Sequence, residues 1–125
     1  MITAVDTCVL VDVLGPDPVH GPASREALRQ CMRDGTLVAC EVVWAEVLTY
    51  GGERAGLIAE SLSELGLGFS PMGMEATSRA AECWWSYRRK GGRRDRIAAD
   101  FLIGGHALAQ CDRLLTRDAG FFGKH

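Results

Sequence analysis

At 125 residues, 47% of them hydrophobic, the chain is long enough for one compact core and too short for two comfortable domains, so residues 1–125 read as a single domain. No apolar run approaches the roughly 20 residues of a membrane-spanning helix, and the opening Met1-Ile2-Thr3-Ala4-Val5-Asp6 lacks a basic segment followed by a long hydrophobic stretch, so a cytoplasmic protein with no membrane association is expected. The net charge of −2 conceals a local reversal, because Arg88, Arg89, Lys90, Arg93, Arg94 and Arg96 crowd one stretch against Asp95 alone.

Taken in chain order, short apolar runs alternate with longer amphipathic ones. Ile2 to Val5 reads as a strand, followed by helical patterns over 7 to 14 and 22 to 34. The loop between those helices runs from Gly15 to Pro22; Pro22 is suited to open the second helix, and Asp17 or Ser24 are candidate caps. Leu37 to Cys40 reads as a second strand, with helices over 42 to 50 and 53 to 65, and Leu67 to Phe69 as a third. Helical patterns over 74 to 90 and 95 to 110 lead to a last strand, Arg113 to Leu115. Gly35, Gly51-Gly52 and Gly91-Gly92 act as stops. Strands this short, separated by crossovers this long, imply an α/β fold with a mostly parallel sheet covered by helices on both faces.

The five cysteines are an odd number, scattered, with no Cys-x-x-Cys pair, which argues against a disulfide framework or a zinc ribbon; each reads as a small, mostly buried hydrophobe. The basic stretch can attract a polyanion by displacing its counterions, while the acidic remainder argues against indiscriminate coating of nucleic acid; the alternative is a solvated helix end running into the Gly91-Gly92 turn. Trp84 and Trp85 adjoin this stretch. Neighbouring helical residues cannot share a face, so one is expected in the core and the other exposed and available to a partner.

Four acids stand in or beside apolar segments that should be buried. Asp6 ends the first strand, at the edge of a parallel sheet where ligands bind. Glu46 has Val42, Val43, Thr49 and Tyr50 as helical neighbours, and Asp100 has Arg96, Ile97, Ile103 and Gly104. Asp118 follows Leu114-Leu115-Thr116. Each has an ordinary alternative: Asp6 and Asp118 as helix caps, Asp100 paired with Arg96 or Arg117, Glu46 with another arginine. Glu41 and Glu53 lie at helix ends and Asp95 among arginines, so none of the three joins the group. Four acids without buried bases repel one another unless a cation binds them. Carboxylates are hard ligands suited to Mg²⁺ or Mn²⁺, which keep several waters, and such a site points to metal-assisted phosphodiester hydrolysis. Thr7 and Thr116 are placed to hold carboxylates or waters. His106 has no second histidine nearby and reads as packing rather than as a ligand.

Val5-Asp6-Thr7, the Glu46 helix after a short strand, Ala99-Asp100-Phe101-Leu102-Ile103-Gly104-Gly105-His106-Ala107, and Leu114-Leu115-Thr116-Arg117-Asp118 followed by Gly120-Phe121-Phe122 together resemble a PIN domain, and more narrowly the VapC toxins of type II toxin-antitoxin systems. The resemblance covers essentially the whole chain, in order. It implies a PIN-like sheet of four to five strands and an Mg²⁺- or Mn²⁺-dependent endoribonuclease, usually dimeric and inhibited by a VapB-type antitoxin. It maps the family's acidic quartet onto Asp6, Glu46, Asp100 and Asp118, with Asp6 and Asp100 the principal metal ligands, Asp118 and Glu46 acting through water or a second ion, and Thr116 positioning Asp118 or a water. The basic run would guide the RNA backbone. Two departures stand out: Cys8 occupies a position where relatives often carry a small polar residue, and the chain stops at His125 where relatives commonly continue through another short strand. The alternatives are a PIN-type nuclease of RNA processing and a non-catalytic binding module. An aspartyl-phosphate phosphatase would need a second aspartate two residues after Asp6, where Cys8 stands.

Overall fold

Four short strands, β1 (Ile2–Val5), β2 (Thr36–Ala39), β3 (Gly68–Phe69) and β4 (Arg113–Leu115), pair side by side in the order β3-β2-β1-β4, and every pairing is parallel. This computed structural model describes residues 1–15, 17–93 and 98–123. Parallel neighbours need long crossovers, and helices fill each one. Helices α1 (Thr7–Leu14) and α2 (Gly21–Asp34) join β1 to β2. Helix α3 (Glu41–Gly51), a 3₁₀ turn (Gly52–Arg54) and α4 (Ala55–Leu65) join β2 to β3. Helices α5 (Met74–Arg89) and α6 (Ala98–Gln110) join β3 to β4, and α7 (Ala119–Phe122) follows.

The register places the future site. Ala4 pairs with both Val38 and Leu114, and Val5 with Leu115, so the carboxyl ends of β1, β2 and β4 stand level. The next residues, Asp6, Cys40 and Thr116, therefore emerge along one rim. Thr3, Ala4 and Val5 are all buried although successive residues point to opposite faces, so helices cover both sides of β1. The edge strands differ from the buried strands expected: β4 is only half-buried, and β3 is two residues long with Phe69 60% exposed. Strand β2 begins one residue earlier than expected, and Cys40 is the N-cap of α3 rather than its last residue. Gly51 stays helical, while Gly52, at φ +56°, ends α3. Asp17 accepts the Val19 and His20 N–H groups ahead of α2, whereas Ser24 lies buried inside that helix. The part of the expected last helix that covers Asp95, Arg96 and Ile97 lies outside the described residues.

The core runs from Val5, Val9 and Leu10 through Val43 and Val47 to Leu62 and Ile103. Each such side chain contributes about 1.5–3 kcal/mol on burial. His106 is also enclosed, with Nε2 2.9 Å from Ser70 Oγ, and burial holds its pKa below the ordinary value. Helices α5 and α6 approach closely because Ala76 and Ala80 face Gly105. At the other end of this pair Trp84 stacks on Phe101, with centroids 5.7 Å apart and planes within 5°, and Tyr87 and Phe121 close around the same ring. The aromatic cluster braces the first turn of α6. Among the described residues, no helix is long and apolar enough to cross a membrane.

A Cβ on Gly105 would lie 2.7 Å from the Ala76 carbonyl oxygen and 2.8 Å from Ala80 Cβ. Gly105→Ala is therefore expected to destabilise the protein by about 1–3 kcal/mol, read as a lower urea midpoint at unchanged slope. His106 supplies a pH test. Its folded pKa is depressed, so the unfolded chain binds the proton first; stability is complete above the ordinary value of 6.5 and is lost as pH falls toward the folded value. The loss is at most about 1.4 kcal/mol per pH unit for one proton, and denaturation of His106→Gln across pH 5–7 should remove it.

Candidate active site

Asp6 follows β1 directly, and its backbone N–H donates to Leu115 O at 2.9 Å, extending the β1–β4 pairing by one residue. It is also the N-cap of α1, where Oδ1 accepts the Thr7 N–H at 2.7 Å. The carboxylate is 8% exposed. Its second oxygen accepts the Thr116 hydroxyl at 2.6 Å and lies 3.5 Å from Cys8 Sγ. Burial first, and the adjacent Asp6 charge further, raise the Cys8 pKa, so the thiol stands there as a neutral donor. Cys8 thus takes a polar part at a position where a small polar residue was anticipated.

Two threonines tie further acids to Asp6. Thr116, whose hydroxyl donates to Asp6, accepts the backbone N–H of Asp118 at 2.9 Å. Thr7 donates its hydroxyl to Glu46 Oε1 at 2.6 Å and so couples α1 to α3. Asp118 stands at the N-cap position of α7 without a side-chain hydrogen bond to that helix. Asp100 sits in the first turn of α6, which packs on α3 and β1. It also lines an apolar cavity of about 270 Å³ with Phe101, Gly104, Leu114 and Phe122. That cavity is lined mostly by hydrocarbon.

Only Asp6 of the four is buried; Glu46, Asp100 and Asp118 are half-buried, because the carboxyl rim of the sheet is open to solvent. A fifth acid, Asp12 on α1, is 2% exposed and was not singled out, although it interrupts the apolar run Val9 to Leu14. Arg117, a candidate partner for Asp100, belongs instead to Asp12, which it grips through Nε at 2.6 Å and Nη2 at 3.1 Å. Arg96, the other candidate, lies outside the described residues. Among the described residues neither Asp6 nor Glu46 has an ion-pair partner. Glu41 accepts the Met72 N–H and anchors the loop before α5, and Glu53 is exposed.

Among the described residues no three His, Cys, Asp or Glu side chains close into a metal-holding cluster. The arrangement fits an ion that takes only one or two carboxylates directly and fills its shell with water, as Mg²⁺ does. Asp6 offers hard oxygens whose neutral donors leave its negative charge uncompensated, which suits a hard cation.

The two tryptophans divide between core and surface: Trp84 faces Phe101, while Trp85 is 61% exposed with the Arg89 guanidinium 4.6 Å from its ring centroid. Arg88 lies similarly over Trp84, and Arg88, Arg89, Lys90 and Arg93 are all exposed. Arg94 and Arg96 lie outside the described residues.

A parallel α/β sheet with the buried Asp6 at its level carboxyl rim, next to Thr7 bound to Glu46 and to Thr116 bound to the Asp118 amide, defines a class of site, and comparison with known proteins gives it a family. The PIN domain model matches residues 3–123, and the chain belongs to that family. In fold it is similar to VapBC2 from Rickettsia felis, solved bound to a DNA fragment from its promoter, at TM-score 0.78 and 20% identity, over 97% of this chain and 91% of that one. VapBC-1 from nontypeable Haemophilus influenzae gives TM-score 0.77 at 16% identity, over 99% and 92%. The sarcin-ricin loop cleaving toxin VapC20 of Mycobacterium tuberculosis gives 0.68 at 12% identity, over 98% and 94%. Curated proteins give no match by sequence.

Thr116→Val removes a hydroxyl that serves Asp6 and Asp118 at once. A loss of about 2 kcal/mol in unfolding free energy is expected, with Thr116→Ser retaining most of it; urea denaturation of the two variants checks this.

Proposed function

We propose that this protein is an Mg²⁺- or Mn²⁺-dependent endoribonuclease toxin, neutralised by a VapB-type antitoxin and acting as a homodimer. The observation that carries the reading is the buried Asp6 carboxylate at the sheet rim of a PIN domain, which accepts from hydroxyl and amide dipoles and, among the described residues, pairs with no cation. The likeness to VapBC complexes and to an RNA-cleaving VapC supports the substrate and partner.

In this reading Asp6 and Asp100 are the principal ligands, with Asp118 and Glu46 completing the acidic pocket. When bound, a divalent ion supplies positive charge against a phosphate and lowers the pKa of water. The chain's own residues do the rest. Thr116 holds Asp6 and the Asp118 amide in one arrangement, and Thr7 fixes the Glu46 carboxylate at the residue after Asp6. The acids alone repel the RNA backbone, so the exposed Arg88, Arg89, Lys90 and Arg93, with Arg94 and Arg96 continuing the run, draw it in through counterion release. Trp85, exposed beside Arg89, is the candidate antitoxin contact.

The test is sequencing of RNA ends after expression of the wild type and of Asp6→Asn, which keeps the acceptor for Thr7 N–H. Cuts confined to the wild type, lost with Asp100→Asn or excess chelator, are expected, with activity reduced at least 100-fold in either variant. Wild-type cleavage by both variants, or full activity in chelator, overturns the reading. Growth arrest relieved by a small co-expressed protein would separate a toxin from an RNA-processing nuclease.

A further inference from the structure

Helix α1 grips the loop after β4 at two successive residues. Asp6, at its start, takes the Thr116 hydroxyl, and Asp12, six residues on, takes Arg117. Six residues along a helix span about 9 Å, so the two grips fix the direction of the loop as well as its place. Asp12 is 2% exposed and both its carboxylate oxygens are engaged: Oδ2 accepts Arg117 Nε at 2.6 Å and Ser24 Oγ at 2.7 Å, and Oδ1 accepts Arg117 Nη2 at 3.1 Å. The contact ties three separate segments together: α1, α2 and the loop that carries Thr116, Arg117 and Asp118.

Stability does not by itself account for such a pair. Asp12 is buried while the Arg117 side chain is 41% exposed; leaving the buried carboxylate without a partner is costly, but apolar groups of similar volume often stabilise as well as such a pair does. What the pair adds is geometry, because a guanidinium and a carboxylate joined by two hydrogen bonds have a fixed relative orientation. Arg117 stands between the two residues whose placement matters, Thr116 on the Asp6 carboxylate and Asp118 on the Thr116 hydroxyl.

We propose that Asp12 is a positioning residue of the acidic site: through Arg117 it sets the 116–118 loop so that Thr116 and Asp118 stand correctly against Asp6. The metal-dependent part of this inference rests on the function proposed above, and the positioning part does not. In a substitution series, Asp12→Val, Ser24→Ala and Arg117→Met together replace every member of the network by an apolar group, and Arg117→Lys keeps the charge while losing the planar fork. Two measurements separate positioning from plain stability: ¹⁵N relaxation order parameters at residues 116–118 without metal, and the Mn²⁺ concentration for half-maximal RNA cleavage. The triple variant is expected to keep a melting temperature close to the wild type, while the order parameters fall from about 0.85 to below about 0.6 and the Mn²⁺ midpoint rises about 10-fold. Arg117→Lys should shift both in the same direction by less. A folded triple variant with wild-type order parameters and midpoint overturns the proposal; if it does not fold, unchanged values in Arg117→Lys do so. Absence of Mn²⁺-dependent cleavage in the wild type would defeat the functional reading, and the order parameters alone would then decide the positioning.

Discussion

The charge on Asp6 is the constraint around which the acidic rim is built. A carboxylate removed from water costs several kcal/mol unless its lone pairs are filled and its charge is balanced. Here both oxygens are hydrogen-bonded, while among the described residues no cation balances the charge. The donors come from the Thr7 amide, the Cys8 thiol and the Thr116 hydroxyl, two of them at the start of α1 and one beyond β4. Because β1 and β4 run in parallel with level ends, the donor from residue 116 arrives beside residue 6 without any distortion of the strands.

Asp12 gives the internal comparison. It lies on the same helix, is buried more completely, and is neutralised within the chain by a guanidinium held at two points. The fold can therefore supply a cation to an acid on α1, yet among the described residues Asp6 receives only dipoles. Dipoles orient a carboxylate and lower the cost of its burial while leaving it able to attract an external ion. A guanidinium would satisfy the charge and close the site. Of the two arrangements, the one at Asp6 suits a binding position and the one at Asp12 suits a strut.

Much of this was legible in the chain because the relevant signals are local. Helix α1 and strand β4 have the bounds that periodicity and flanking residues indicate, and Thr7 and Thr116 were marked by their places beside strand-end acids. What could not be read is what depends on distant partners. The Thr7–Glu46 bond spans 39 positions and the Asp12–Arg117 pair 105, and no spacing rule connects them. Asp12 did carry a local signal, an acid within an apolar run, but no motif drew it into the group. The burial of Glu46, Asp100 and Asp118 was overestimated for a physical reason: an apolar helix face packs against the sheet along most of its length, yet at the carboxyl rim the same face opens to solvent.

The placement of the basic residues follows from the range of electrostatic forces. At physiological ionic strength, charges farther apart than about 8 Å in solvent are largely screened, so a chain of net charge −2 offers a polyanion little attraction at a distance and must provide it locally. The described cations of the run sit at the end of α5, and Trp84, Tyr87, Phe101 and Phe121 pack that end against the first turn of α6, where Asp100 lies. Arg88 and Arg89, each lying over a tryptophan, keep N–H edges that can still reach a phosphate, because a cation–π contact uses the face of the guanidinium. The aromatic cluster therefore does more than fill space between two helices. It packs the basic end of α5 against the turn of α6 that carries Asp100.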